Sequence, residues 1–357
     1  MERSDYKQLG QFIEPVMEKN ANLSVKLSQG INNKKYFQNP RQVSENSAND
    51  QIVRKGQFAY NKATTRNGEK ISIAYREGPD CTVSSAYQVF RIKDEEQLNP
   101  HYLLLWFKRP EFDRYARFKS HGSAHEFFDW EEMCKVTLPV PPIEEQRRIV
   151  EEYQTVERRI KNNEALIQKL EETAQAIYHH TFVEGIDDNN LPEGWKMGRF
   201  SDVMLISSGK SAIDKSDVAT GDMKYPVAGA AGIIGYSSHY NCDKPILTTG
   251  RVGTLGIVNK YEQPIWCADN VLVIESEYYN YSYLLLKRVN YNEIAKGGVQ
   301  ALLTQTELNG CSALIPPSQL LSNFESNVKP IYDYADTILH ELHNLRALQS
   351  LLTSKLT

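Results

Sequence analysis

Two stretches of this chain repeat an apolar residue at alternating steps of four and three. The first runs through Ile149, Tyr153, Val156, Ile160, Asn163, Ile167, Leu170, Ala174 and Ile177; the second through Phe324, Val328, Ile331, Ala335, Ile338, Leu342, Leu345, Gln349, Leu352 and Leu356. A mean repeat of 3.5 is the seam of a coiled coil, narrower than the face of a helix lying on a sheet. A seam kept up over about four heptads requires a partner helix, and each stretch is the natural partner of the other. Polar Asn163 interrupts the first seam, where such a residue either fixes register at some cost in stability or marks a bend. Pro330, early in the second, is expected to kink the helix or delay its regular part by a turn.

Both helices open after the same signal. "LPVPPIEEQRRI" places Pro141 and Pro142 before the first, and "ALIPPSQLLSNF" places Pro316 and Pro317 before the second. The echo extends upstream: "HYLLLWF" from His101 is similar to "SYLLLKR" from Ser282, and "SHGSAHEFF" from Ser120 to "AKGGVQALL" from Ala295. More loosely, "DYKQLGQF" from Asp5 matches "GWKMGRFSDV" from Gly194. A module of half the chain has been written twice and has diverged. The boundaries fall at residues 1–142 for the first module, 143–182 for its helix, 183–316 for the second module and 317–357 for its helix.

This order of elements dictates a geometry. The first helix leads through "VEGIDDNNLPEGW" into the second module, so the second helix must run back beside it, antiparallel. The modules are then expected at opposite ends of a rod and related by an approximate two-fold axis. About 29 residues of seam rising ~1.5 Å each give a rod on the order of 40 Å.

Within the modules, short runs rich in β-branched and aromatic residues predict strands: "QIVRKGQFAYN", "KISIAYR" and "SSAYQVFRI" in the first copy, "KPILTTG", "TLGIVNK" and "NVLVIES" in the second. Helical pattern returns at "NPHYLLLWFKRPEFDRYARF" and "YYNYSYLLLKRVNYNEIAK". The fold class is therefore α+β: two modules, related by an approximate two-fold axis, of mostly antiparallel sheet plus helices, separated by the two long helices of the antiparallel coiled coil.

At 357 residues the chain has room for two domains, and 41% hydrophobic against 24% charged residues describes a folded protein. The formal charge of −4 argues against a lone, tight nucleic-acid binder, which carries a basic excess. No apolar run is long enough to span a bilayer, and "MERSDYKQLG" lacks the order of a signal peptide, so a cytoplasmic location is expected. Five scattered cysteines, Cys81, Cys134, Cys242, Cys267 and Cys311, contain no Cys-x-x-Cys pair and read as buried free thiols.

A search for catalytic constellations finds none. There is no P-loop, and no Asn/Asp-Pro-Pro-aromatic tetrapeptide of the kind an amino-methyltransferase uses to hold its target base. "GAAGIIG", Gly229 to Gly235, lacks the dinucleotide-binding spacing and reads as a turn between strands. His121 and His125 flank Gly122 and Ser123, which favours a loop over a metal-binding helix, and no metal site is expected.

What stands out is basic, amide-rich loop sequence. In the first copy these are Asn32, Asn33, Lys34, Lys35, Tyr36 and Gln38, then Lys62, Arg66, Asn67 and Lys70. In the second they are Ser208, Lys210, Lys215, Thr249, Arg251, Lys296 and Gln300. Arg pairs with guanine edges, Asn and Gln with adenine, and Lys with phosphate, so as a set these residues are candidates for DNA contact.

The two diverged halves, the "PVPPIEEQRRIV" and "LIPPSQLLSNF" helix entries, the "LPEGWK" start of the second half and "GRVGTLGIV" within it resemble the specificity (S) subunits of type I restriction-modification systems. The resemblance covers nearly the whole sequence. One departure is that Leu321 stands where the first copy has Gln146, with Gln319 displaced from that position.

The resemblance implies a non-catalytic subunit of a DNA adenine methyltransferase/endonuclease that takes part in phage defence. Its two halves would bind a bipartite double-stranded DNA target with a fixed spacer. It would dock two methyltransferase (M) subunits, which bring S-adenosylmethionine, and two restriction (R) subunits using ATP and Mg where the system has them. No cofactor would be bound by this subunit itself. DNA binding in the absence of partners is then expected to be weak and salt-sensitive. Two other readings stay open on sequence: the recognition subunit of another DNA-modifying system, and a non-catalytic scaffold with two adaptor modules.

Overall fold

Proline punctuation sets the helix boundaries in the computed structural model, which describes residues 6–40, 48–63, 70–120, 126–252, 254–297 and 301–356. The helices are α1 (Pro100–Phe107), α2 (Pro110–Lys119), α3 (Trp130–Lys135), α4 (Ile143–Phe182), α5 (Tyr279–Lys287), α6 (Tyr291–Ile294), α7 (Gln305–Asn309) and α8 (Ser318–Ser354). Asn99 caps α1, its Oδ1 accepting from the His101 and Tyr102 amides. Pro110 then splits the run predicted as one helical stretch, because its ring holds Arg109 in extended backbone (ψ 139°) and α2 restarts with the proline in its first turn.

α8 begins directly after Pro316-Pro317 and continues through Pro330. The expected delay does not occur. Buried Val328 and Tyr332 on either side of the proline anchor the helix by packing, which outweighs the roughly 3 kcal/mol that an interior proline costs.

The protein divides into two compact units: Met1–Asn163 with Glu341–Thr357, and Glu164–His340. Each unit therefore contains one module and a portion of both long helices.

In the first unit the principal sheet is antiparallel, in the order Ile13–Val16, Tyr87–Ile92, Phe58–Asn61, Ile73–Tyr75. Strand Tyr6–Gln8 pairs with Thr137–Pro139, the strand that precedes Pro141-Pro142. The core is aromatic: Phe58 stacks on Phe90 at 5.0 Å between ring centroids and meets Phe107 edge-on at 6.0 Å. Here α4 and the end of α8 run antiparallel. Asn163 and Arg159 meet Glu341, and Val150 and Tyr153 share the core with Leu352 and Leu356.

The second unit repeats the plan with differences. Its four-stranded antiparallel sheet has the order Leu205–Ser208, Val271–Glu275, Ile246–Gly250, Val258–Tyr261. Strand Lys196–Arg199 pairs with Ser312–Ile315, again the strand before the two prolines. A smaller sheet contains the hairpin Tyr225–Gly229 and Gly232–Ser237, so "GAAGIIG" spans a turn between strands, with Ala230 and Ala231 at its tip and Gly232 at φ +132° where a side chain is disfavoured. One edge of that sheet, Trp266–Cys267, pairs in parallel. Ala174, Tyr178 and Phe182 of α4 pack with Leu321, Phe324, Val328 and Tyr332 of α8.

Of the seam positions, Tyr153, Val156, Ile160, Asn163, Ala174, Phe324, Val328, Ile338, Leu342 and Leu356 are buried. Ile149, Ile167, Leu170, Ile177, Ile331, Ala335, Leu345, Gln349 and Leu352 are half-buried. Val150, Tyr178, Phe182, Leu321 and Tyr332 are buried as well. They widen the apolar face where each helix also meets its module. All five cysteines are free, Cys81 and Cys267 buried and the other three half-buried.

Candidate nucleic-acid interface

The amide-rich loop of the first module is a hairpin, with Gly30–Ile31 paired to Phe37–Gln38. Asn32 organises its turn. Its Oδ1 accepts the amides of Lys34 at 2.9 Å and Tyr36 at 3.1 Å, and its Nδ2 donates to Gln38 Oε1 at 3.0 Å. Lys35 takes left-handed backbone (φ +67°), which turns its side chain inward.

The structure corrects the assignment of Lys35 as a DNA contact. Its side chain is 4% exposed, and its ammonium donates to Asp113 Oδ1 at 2.6 Å and to the Phe107 carbonyl at 2.5 Å. Asp113 also accepts the Ile71 amide at 3.2 Å. Burial pulls the Lys35 pKa down while the Asp113 carboxylate opposes that shift. The lysine is the peg that fixes the hairpin to the module.

Tyr36 leans on α4, donating its hydroxyl to Glu157 Oε1 at 3.2 Å and accepting from Lys108 Nζ at 3.3 Å. Burial, helped by the Glu157 charge, pushes its phenol up to about 12. Asn33 Oδ1 accepts from Ser72 Oγ at 3.1 Å, and the Ser72 carbonyl accepts the Asn61 amide. The hairpin thus adjoins the sheet end from which Lys62 departs and to which Lys70 leads. Lys34 and Lys70 are exposed and Lys62 half-buried; Arg66 and Asn67 lie outside the described residues.

In the second module Ser208, Gly250, Val258 and Val271 share one sheet end. Lys210 is exposed just beyond Ser208, its amide donating to the Cys267 carbonyl at 2.9 Å. Gly209 makes this approach feasible, since a Cβ there would stand 2.0 Å from the Ala268 carbonyl oxygen. Arg251 is half-buried, its amide bonded to the Asn270 carbonyl, and the Arg251 carbonyl accepts the Leu303 amide. The stretch carrying Lys296 reaches the same place through the Val252–Leu302 and Lys296–Leu302 bridges.

Ser208 Oγ accepts from Gln305 and the Lys296 ammonium pairs with Glu307 at 2.7 Å, so both are engaged within the protein. Lys215 is exposed and Gln300 lies outside the described residues. Thr249 needs correcting too. It is fully buried in the inner strand Ile246–Gly250 and has no access to a base.

Sequence reasoning missed the fasteners between each module and its helix. Buried Gln146 accepts the Asn99 amide at 2.8 Å and donates to the carbonyls of Gln97 at 3.0 Å and Pro141 at 2.8 Å. Leu321, its counterpart, is simply buried, and Glu325 one turn later does the fastening. It accepts the Tyr281 amide at 2.8 Å and Asn280 Nδ2 at 2.9 Å. Tyr102 donates to the Pro139 carbonyl and Tyr281 to the Leu314 carbonyl, both at 3.0 Å. The shared "YLLL" text would have matched Tyr102 with Tyr283 instead.

Residues 2–172 and 192–320 match the type I restriction modification DNA specificity domain. The type I restriction enzyme MjaIX specificity subunit of Methanocaldococcus jannaschii is 22% identical over 298 residues, 71% of this chain and 67% of the relative. The crystal structure of the type I restriction-modification system S subunit from M. genitalium superposes with a TM-score of 0.65 at 14% identity, covering 98% of this chain and 95% of the other. The chain belongs to the family of type I restriction-modification DNA specificity subunits.

Proposed function

We propose that each unit reads one part of a split target in double-stranded DNA, through the loops at the end of its principal sheet. The observation that supports this best is that each module brings several of its amide-bearing and cationic loop residues to one sheet end, Asn33, Lys62 and Lys70 in the first and Lys210 and Arg251 in the second, while separate buried contacts fasten the module to its helices. Lys34, Lys62, Lys70, Lys210, Lys215 and Arg251 are the described cations retained as DNA contacts, with Asn32, Asn33, Tyr36 and Gln38 shaping the first loop.

In this reading the long helices hold the spacer at a fixed length, on the order of 40 Å or roughly 10 to 13 base pairs. They also dock two methyltransferase subunits, which supply S-adenosylmethionine, and restriction subunits where the system encodes them. The subunit itself is non-catalytic and acts in the cytoplasm. Its near-neutral charge is consistent with partners that provide much of the phosphate grip.

The test is co-expression with the methyltransferase subunit of the same system, followed by mapping of methylated adenines. Lys34→Glu and Lys210→Glu change exposed residues, so the complex should still assemble and melt as before. Target methylation should fall about tenfold or more for each, since a base or phosphate contact is worth about 1–3 kcal/mol. Unchanged methylation in both variants would exclude these loops as the interface.

A further inference from the structure

The first unit holds a pocket that the DNA-reading loops do not use. It has a volume of about 250 Å³ and is bounded by Trp106, Arg109, Glu111, Phe112, Tyr115 and Val136. Arg109, the residue that caps the start of α2, is only 3% exposed. Its guanidinium lies over the Trp106 indole, 4.2 Å from the ring centroid. That face is satisfied, but Nε is buried and has no hydrogen-bond partner among the described residues. The half-exposed Glu111 carboxylate stands 3.5 Å away, at the limit of hydrogen-bond reach.

A buried donor left in this condition carries its full desolvation cost, which a ligand able to accept from it would relieve. The edge of a guanidinium matches a flat, two-oxygen anion. Two features choose among anions. Three aromatic walls and a valine accommodate an apolar body, and Glu111 at the rim repels a phosphate dianion more strongly than a monoanion.

We propose that this pocket binds a carboxylate borne on an apolar, preferably aromatic, body, with Arg109 as its bidentate partner. Glu111 is a weak internal competitor for the same guanidinium.

The test is calorimetric titration of the full-length protein at millimolar probe with two acids, 3-phenylpropionate and acetyl-Gly-Gly-Phe, and with the amide of each. Binding is expected for at least one acid and to be at least tenfold weaker for its amide. Glu111→Gln, a rim substitution compatible with folding, should tighten acid binding severalfold, and Arg109→Gln should abolish it. Tighter binding of 3-phenylpropionate would identify a free small acid as the ligand class, and tighter binding of the tripeptide the terminal carboxylate of a polypeptide. The proposal is overturned if neither acid binds the parent protein or Glu111→Gln, if acid and amide bind alike, or if binding survives Arg109→Gln.

Discussion

Lys35→Met is expected to lower the stability of the first unit by about 3–5 kcal/mol, the cost of removing one partner from a buried ion pair. The substitution fills similar space, so little of this arises from a cavity. It arises because Asp113, itself nearly buried, would lose the ammonium 2.6 Å away and keep, among the described residues, only the Ile71 amide. The adjacent Lys34→Met should change stability by no more than about 0.5 kcal/mol, because that side chain is exposed. Hydrogen exchange of the Phe58–Asn61 amides reports on this unit alone. Faster exchange in Lys35→Met only is the expected result. Equal protection in both variants would mean that the peg does not hold the hairpin.

In the second unit the corresponding weak point is apolar. Phe324→Ala should cost about 3–5 kcal/mol by leaving a cavity between α4 and α8. The ring is 2% exposed and lies 4.9 Å from Phe182 and 6.0 Å from Tyr178, centroid to centroid. Leu339→Ala on the same helix removes a side chain that is 56% exposed and should cost about 0.5 kcal/mol or less. Thermal melting of the two variants, with exchange of the Ile246–Gly250 amides to localise the loss, separates them. A similar small shift for both would contradict the packing described for α4 against α8.

The long helices and the two α+β modules were legible because their signals are local. A 3.5-residue repeat, a Pro-Pro step and a Gly- or Asn-bounded strand are each complete within one stretch of text. What decides the fate of a loop lysine is distant. Lys35 reads as a base-seeking cation beside Asn32 and Lys34, and only the fold brings Asp113 and the Phe107 carbonyl to it. Thr249 likewise looks available beside Arg251 until the strand order places Ile246–Gly250 inside the sheet.

Divergence between the copies misled the alignment in a similar way. Gln146 and Glu325 perform comparable fastening from different helical turns, so the motif at the helix entry preserves the strand, the prolines and the turn but not the fastener. Arg109 was invisible for another reason. Nothing in the text around Arg109 marks it, and only the fold buries its guanidinium over Trp106.

The central claim is that the two modules read separate halves of one DNA target. Its most direct test is to replace residues 191 to 316 with the matching segment of another family member, co-express the hybrid with the methyltransferase, and map methylated adenines. The account predicts a motif whose first half and spacer are retained and whose second half changes. A complex that assembles and methylates an unaltered motif, or one in which both halves change together, would contradict it.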